Sequence, residues 1–172
     1  QNIRSFNAAA RPSLIYACEC IGHQERAYLE GLPFVIEGCG VEGVQVMDDV
    51  VFAHASPINS AEWEPLFLQA NIANAMDTVG RKIAFVGHTH YAGIHCKIRA
   101  RTIALTSSIV AIGPHQYLVN SGSIGQPRDG NWRASYAIWD FEKNGVELHR
   151  VEYPVGRTQE KMRVLDFPQL TI

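Results

Sequence analysis

Apolar residues in this chain fall in short runs that stop abruptly at small, polar or histidine residues. Val50-Val51-Phe52-Ala53, Ile83-Ala84-Phe85-Val86 and Tyr117-Leu118-Val119 are unbroken runs of strand length. Such runs mark strands buried on both faces. Between the first two, Leu66, Leu68, Ala70, Ile72, Ala73 and Met76 form a loose helical stripe that reaches Val79 and stops at Gly80. The pattern predicts a helix opening at Asn59-Ser60 with Glu62 and Glu64 in its first turn, or opening at Pro65. Strand, helix, strand is a βαβ unit, so the ends of its two strands belong on one rim.

Elsewhere the pattern predicts shorter elements. Helices are expected from Pro12 to Ile21, from Gln24 to Leu29 and from Thr158 to Leu165. Phe34 to Glu37 and Gly43 to Val46 read as two strands around a glycine-rich link. In the second half, Gly93 to Ile98, Thr102 to Thr106, Ser107 to Ile112, Ala134 to Phe141 and Val146 to Tyr153 read as mainly antiparallel strands, with Lys143-Asn144-Gly145 as a hairpin turn. No internal repeat, low-complexity stretch or linker divides the chain, and its length suits a single domain over residues 1–172.

The candidate chemistry sits where the buried runs end. His54 follows the first, Gly87-His88-Thr89-His90 follows the second, and Asn120-Ser121-Gly122-Ser123 leads from the third to Gln126-Pro127-Arg128-Asp129-Gly130. In α/β sheets, ligand-binding groups gather beyond the carboxyl ends of strands. In extended backbone His88 and His90 would point to one side, placed to serve two ions roughly 3.5–4 Å apart. The spacing by itself suits a pair of polar loop histidines at least as well. Asn120 reads either as an amide that orients the histidine loop or as an Asx-turn residue. Ser123 reads as a phosphate contact or a turn residue, and Arg128 as a phosphate contact or a solvated arginine. His23 reads as a surface or capping residue and His149 as a sheet-face residue, while a strand from Gly93 carries His95 and Cys96 away from the rim.

Bulk properties narrow the classes. The chain is 47% hydrophobic and 19% charged, with a net charge of −2 and no basic cluster, so no nucleic-acid footprint is visible. No apolar run approaches membrane-spanning length, and no signal peptide opens the chain. Cys18, Cys20, Cys39 and Cys96 form no Cys-x-x-Cys pair and read as reduced thiols of a cytoplasmic protein.

Taken together, Val51 to Pro57, Phe85 to His90, and Leu118 to Gly130 with Ala134-Ser135-Tyr136-Ala137 resemble the calcineurin-like metallophosphoesterases, near their bacterial and archaeal phosphodiesterase and diadenosine-tetraphosphatase-like branch. Ala55 stands where that family usually has glycine, and Ser121 where it usually has proline. Both are small, so the loops are expected to keep their shape. The chain has no Asp-x-His, Gly-Asp or Asn-His dipeptide, all of which precede the histidine motifs in the family. It therefore resembles the family's C-terminal two-thirds.

The resemblance implies an α/β fold, a two-sheet, four-layer αββα sandwich lacking its N-terminal strands. A central strand is then expected to be left as an open edge, prone to self-association or to a partner. It further implies two divalent ions, with His54 and His88 on one and His90 on the other. Manganese is favoured over iron, nickel or zinc, although histidine count does not choose among them. Asn120, Ser123 and Arg128 become candidate substrate contacts to a small phosphorylated molecule. The family's catalytic acid belongs to the Asn-His motif, so no catalytic residue is named in this chain. A non-catalytic binding or scaffold module and a mononuclear histidine site are the alternatives.

Overall fold

The computed structural model describes residue 8, residues 10–38 and residues 48–168. The strand expected from Gly43 to Val46 lies outside them. The described chain forms two compact units: residues 33–153, and the segments before and after them.

The unit formed by the two terminal segments holds α1 (Ala10–Cys20), α2 (His23–Glu30) and α4 (Val155–Val164), close to the three expected helices. The rings of Tyr16 and Phe167 meet edge to face at 5.5 Å, and the Arg26 guanidinium donates to the Cys18 carbonyl. Cys18, Cys20 and Cys96 are free thiols. No described helix is long and apolar enough to cross a membrane.

The unit of residues 33–153 carries both sheets. β1 (Val35–Glu37), β2 (Val50–Ala53), β3 (Ile83–Val86), β4 (Gly93–Ile98), β5 (Arg101–Leu105) and β7 (Gln116–Asn120) form a six-stranded sheet in the order β1-β2-β3-β7-β4-β5. β6 (Ile109–Ala111), β8 (Ala134–Asp140) and β9 (Gly145–Val151) form a three-stranded antiparallel sheet in the order β6-β9-β8. β2, β3 and β7 are parallel and adjacent, with Val50 opposite Ile83 and Ile83 opposite Tyr117.

The unbroken apolar runs follow from this placement, because successive residues of a strand face opposite ways. Val50, Ile83, Tyr117 and Val119, with Ile94 of β4, turn to the second sheet, where they meet Val110 and Val146. Val51, Ala84, Val86 and Leu118 turn to α3 (Gln69–Val79), meeting Ile72, Ala75 and Met76. Helix, sheet and sheet thus stack as three layers. Each fully buried Val, Leu or Ile contributes about 1.5–3 kcal/mol, so these three strands anchor the unit.

Two expectations need correcting. The helix of the βαβ unit starts at Gln69, and a 3-10 turn (Ser60–Glu62) with a non-helical stretch precedes it. Pro65 disfavours helical backbone at Glu64. Ahead of the helix, Leu66 lies in the core beside Ile72 and Met76. Nor is β2 an open edge: β1 pairs antiparallel with it, Val35 opposite Ala53, so among the described residues the edges of the sheet are β1 and β5.

Candidate metal centre

The parallel ladder continues past the strand ends and fixes where the polar loops begin. The Gly87 amide donates to the His54 carbonyl at 2.9 Å, and the Ser121 amide to the Val86 carbonyl at 3.1 Å. His54 and His88 therefore leave neighbouring strands side by side. Their rings meet edge to face, with centroids 5.2 Å apart.

The two histidines of the pair do not sit in extended backbone. His88 has φ 61° and His90 φ 62°, both in the left-handed region that non-glycine residues rarely enter. Thr89, 1% exposed, is clamped between them. Its amide donates to the Gly87 carbonyl at 2.7 Å, and its Oγ1 accepts from the Tyr91 amide at 3.3 Å. Strain of this kind persists only where the surroundings over-determine it.

Asn120 supplies that restraint, and it is both things the sequence suggested. Its Nδ2 donates to the Gly87 carbonyl at 3.1 Å and to Thr89 Oγ1 at 2.8 Å, holding the histidine loop. Its Oδ1 accepts from the Gly122 amide at 3.0 Å, which closes an Asx turn. At 5% exposure, with both amide hydrogens spent, Asn120 has no donor left for a substrate. Replacing it by alanine should cost about 2–3 kcal/mol, because bonds are lost and buried partners are stranded. A thermal melt should then fall by roughly 4–12 °C; an unchanged melt would show that the loop holds its shape without the amide.

His90 turns its Nδ1 to the Gln126 carbonyl at 2.6 Å. A carbonyl only accepts, so this bond places the proton on Nδ1 and leaves Nε2 with its lone pair. The bond ties the histidine pair to the loop after β7, as does the bond from the Arg128 amide to the His90 carbonyl at 3.2 Å. Burial, then the charge of His90, lowers the pKa of His54. Burial, then His54, His90 and Arg128, lowers that of His88. Both shifts favour the neutral imidazole, the form that binds metals.

The other candidates stand around the same loop. Ser123 Oγ accepts from the amides of Gly125 at 3.2 Å and Gln126 at 2.9 Å, so it is a turn residue with its own hydroxyl proton to spare. Arg128 is exposed, and its guanidinium donates to Gln126 Oε1 at 2.9 Å. Asp129 is tied to Arg150 and accepts from the Ala92 amide at 3.1 Å. Burial would raise its pKa, but these bonds hold it below the usual carboxylate value. A cavity of about 310 Å³ lies toward the amino ends of β2 and β3, lined by Val35, Glu37, Asp49, Val51 and Arg81 among others, and includes none of the three histidines.

Trp63 was not singled out in the sequence, yet it packs on both site histidines. Its ring centroid lies 5.2 Å from that of His54 and 6.0 Å from that of His88. A lone tryptophan in a non-periodic stretch carries no pattern that points to such a contact.

The donor set fits a borderline divalent cation in part. Two neutral imidazoles touch, and a third with a fixed tautomer stands near enough to shift their pKa values. Among the described residues, however, no group of three His, Cys, Asp or Glu side chains is placed to hold an ion.

Parallel strands ending in this polar loop cluster, backed by a second sheet, define a metallophosphoesterase-type α/β fold. The chain matches no protein-family model. It is 30% identical over 164 residues to an uncharacterized protein of Methanocaldococcus jannaschii, covering 94% of this chain and 63% of that protein. The crystal structure of a metallophosphoesterase from Sphaerobacter thermophilus superposes with a TM-score of 0.79 at 30% identity, covering 96% of this chain and 66% of that one. A hypothetical protein from Pyrococcus horikoshii shares the fold with a TM-score of 0.72 at 21% identity, over 99% of this chain and 61% of that one. In fold and in sequence the chain is similar to the metallophosphoesterases. It spans less than two-thirds of the length of each of these relatives.

Proposed function

We propose that this chain carries the histidine side of a metal-dependent phosphoesterase that hydrolyses phosphodiesters or phosphomonoesters of small molecules. The observation that carries the reading is the contact of His54 with His88 at the ends of adjacent parallel strands. His54 and His88 hold one divalent ion and His90 presents Nε2 to a second. Manganese is the favoured metal, with iron, nickel and zinc as the other candidates. The remaining ligands, among them a carboxylate, come from outside the described residues.

When bound, such ions polarise a phosphoryl oxygen and make water acidic enough to attack phosphorus. The chain's own residues do the rest. Neutral imidazoles at His54 and His88 compete with no proton for the ions. Asn120 keeps the histidine loop in its strained shape. Arg128 offers a charge-assisted contact to a phosphate oxygen, and Ser123 a hydroxyl proton. The free thiols suit a cytoplasmic setting.

A non-catalytic module, or a mononuclear histidine site, is favoured by one observation: the described residues form no three-ligand group. Activity separates the readings. The complete product of the encoding gene, whatever its length, should hydrolyse bis(p-nitrophenyl) phosphate with manganese, and the 172-residue chain alone should stay at background. Equal turnover by both would show that the chain holds the whole centre. Absence of metal-dependent turnover from both would overturn the phosphoesterase reading.

A further inference from the structure

The loop after β2 folds back on itself and delivers one side chain to the candidate centre. The Ser56 amide donates to the Glu64 carbonyl at 3.0 Å, closing the loop two residues beyond His54. Ser56 is 1% exposed, and its Oγ accepts from the Ile58 amide at 3.3 Å. Inside the loop, the 3-10 turn is bracketed by two left-handed residues, Asn59 with φ 49° and Trp63 with φ 58°. The Trp63 amide donates to the Ser60 carbonyl at 3.3 Å. A bulky aromatic residue rarely adopts this backbone, so the surroundings hold it there against a local preference.

The loop places Trp63 at the middle of an aromatic cluster. Phe34 packs on it edge to face at 5.9 Å, and the rings of His54 and His88 meet it from another direction.

We propose that Trp63 is a positioning residue for the metal centre: its ring wedges against His54 and His88 and sets the orientation in which both rings bind. This rests on the reading that the two histidines bind a metal ion. Left-handed backbone, loop closure and ring contacts together dedicate one side chain to two ligands that come from different strands. Trp63 touches no reacting atom in this arrangement; it acts through His54 and His88.

Ni²⁺ alone is the probe, since imidazole suits it. Binding is measured by calorimetry, and tryptophan fluorescence is recorded in the same titration. Wild-type protein should bind Ni²⁺ with quenching, because Trp63 lies against the ligands. Trp63→Phe keeps an aromatic ring, so it should bind within about threefold of wild type while losing most of the quenching. Trp63→Gly tolerates the left-handed backbone but removes the wedge, and should bind about 10–100-fold more weakly. Trp132→Phe, at an exposed tryptophan tilted against Tyr153, should change neither readout.

Wild-type affinity in Trp63→Gly, or full quenching in Trp63→Phe, would overturn the proposal and leave the centre standing. Should Trp63→Gly fail to fold, the fluorescence of Trp63→Phe still decides. If wild type binds no more Ni²⁺ than the double variant His54→Ala/His88→Ala, the centre itself is wrong and the role of Trp63 falls with it.

Discussion

Replacing His88 by alanine should lower manganese affinity, and the metal-dependent turnover of the complete gene product, by more than about a hundredfold. The estimate follows from a comparison. Loss of a group that merely orients a ligand costs 10–100-fold, so loss of the ligand itself costs more. His88 is the middle of the cluster: its ring touches His54 and Trp63, and its charge state is coupled to His90. It contributes nothing to either hydrophobic cluster, so the variant should melt close to wild type. Calorimetry with Mn²⁺ and hydrolysis of bis(p-nitrophenyl) phosphate check the two effects. His149→Ala is the control, because His149 stacks on Tyr136 and pairs with Glu147 on the second sheet. A His88→Ala protein that binds manganese like the control would remove the histidine pair from the centre.

Gly122→Ala should be the most damaging single-methyl change at the rim. Gly122 has φ 77°, and an added Cβ would meet Ser135 Cβ at 2.8 Å and Ala92 Cβ at 2.9 Å. Neither neighbour is the end of a flexible chain, so backbone must move. Left-handed backbone costs an alanine roughly 1–2 kcal/mol, and overpacking typically adds about 1–3 kcal/mol. Gly130 separates the two terms. It has φ 81°, but nothing lies within 4 Å of an added Cβ, so Gly130→Ala should show the backbone cost alone. Denaturant melts of the pair should differ by about 1–3 kcal/mol, with Gly122→Ala the weaker. Equal losses would mean that the Gly122 loop gives way freely and does not brace the rim through the Asn120 turn.

Where burial was two-sided, the fold was legible. Val50-Val51-Phe52, Ile83-Ala84-Phe85-Val86 and Tyr117-Leu118-Val119 left no polar position to alternate with, which only a strand between two packed layers allows. Their shared direction put His54 and His88 on one rim, and the rings do meet. The start of α3 was misjudged because Asn59-Ser60 and the glutamates imitate a helix opening, while Pro65 delays it to Gln69. β1 was legible as a strand. Its pairing with β2 was not, since nothing in Val35-Ile36-Glu37 names a partner. The extended-backbone argument for His88 and His90 also failed. Thr89 and Asn120 impose a left-handed turn on both histidines that no residue preference favours. Trp63 escaped notice because its role comes from a loop closure between Ser56 and Glu64, a contact with no periodic signature.

The most direct measurement is an anomalous difference map from crystals of the protein soaked in Mn²⁺ and recorded at the manganese edge. A peak in contact with ring nitrogens of both His54 and His88 is the expected result, with a second peak beside His90 Nε2 when the remaining ligands are present. A map with no peak at these three rings, or with manganese bound only elsewhere, would contradict the account.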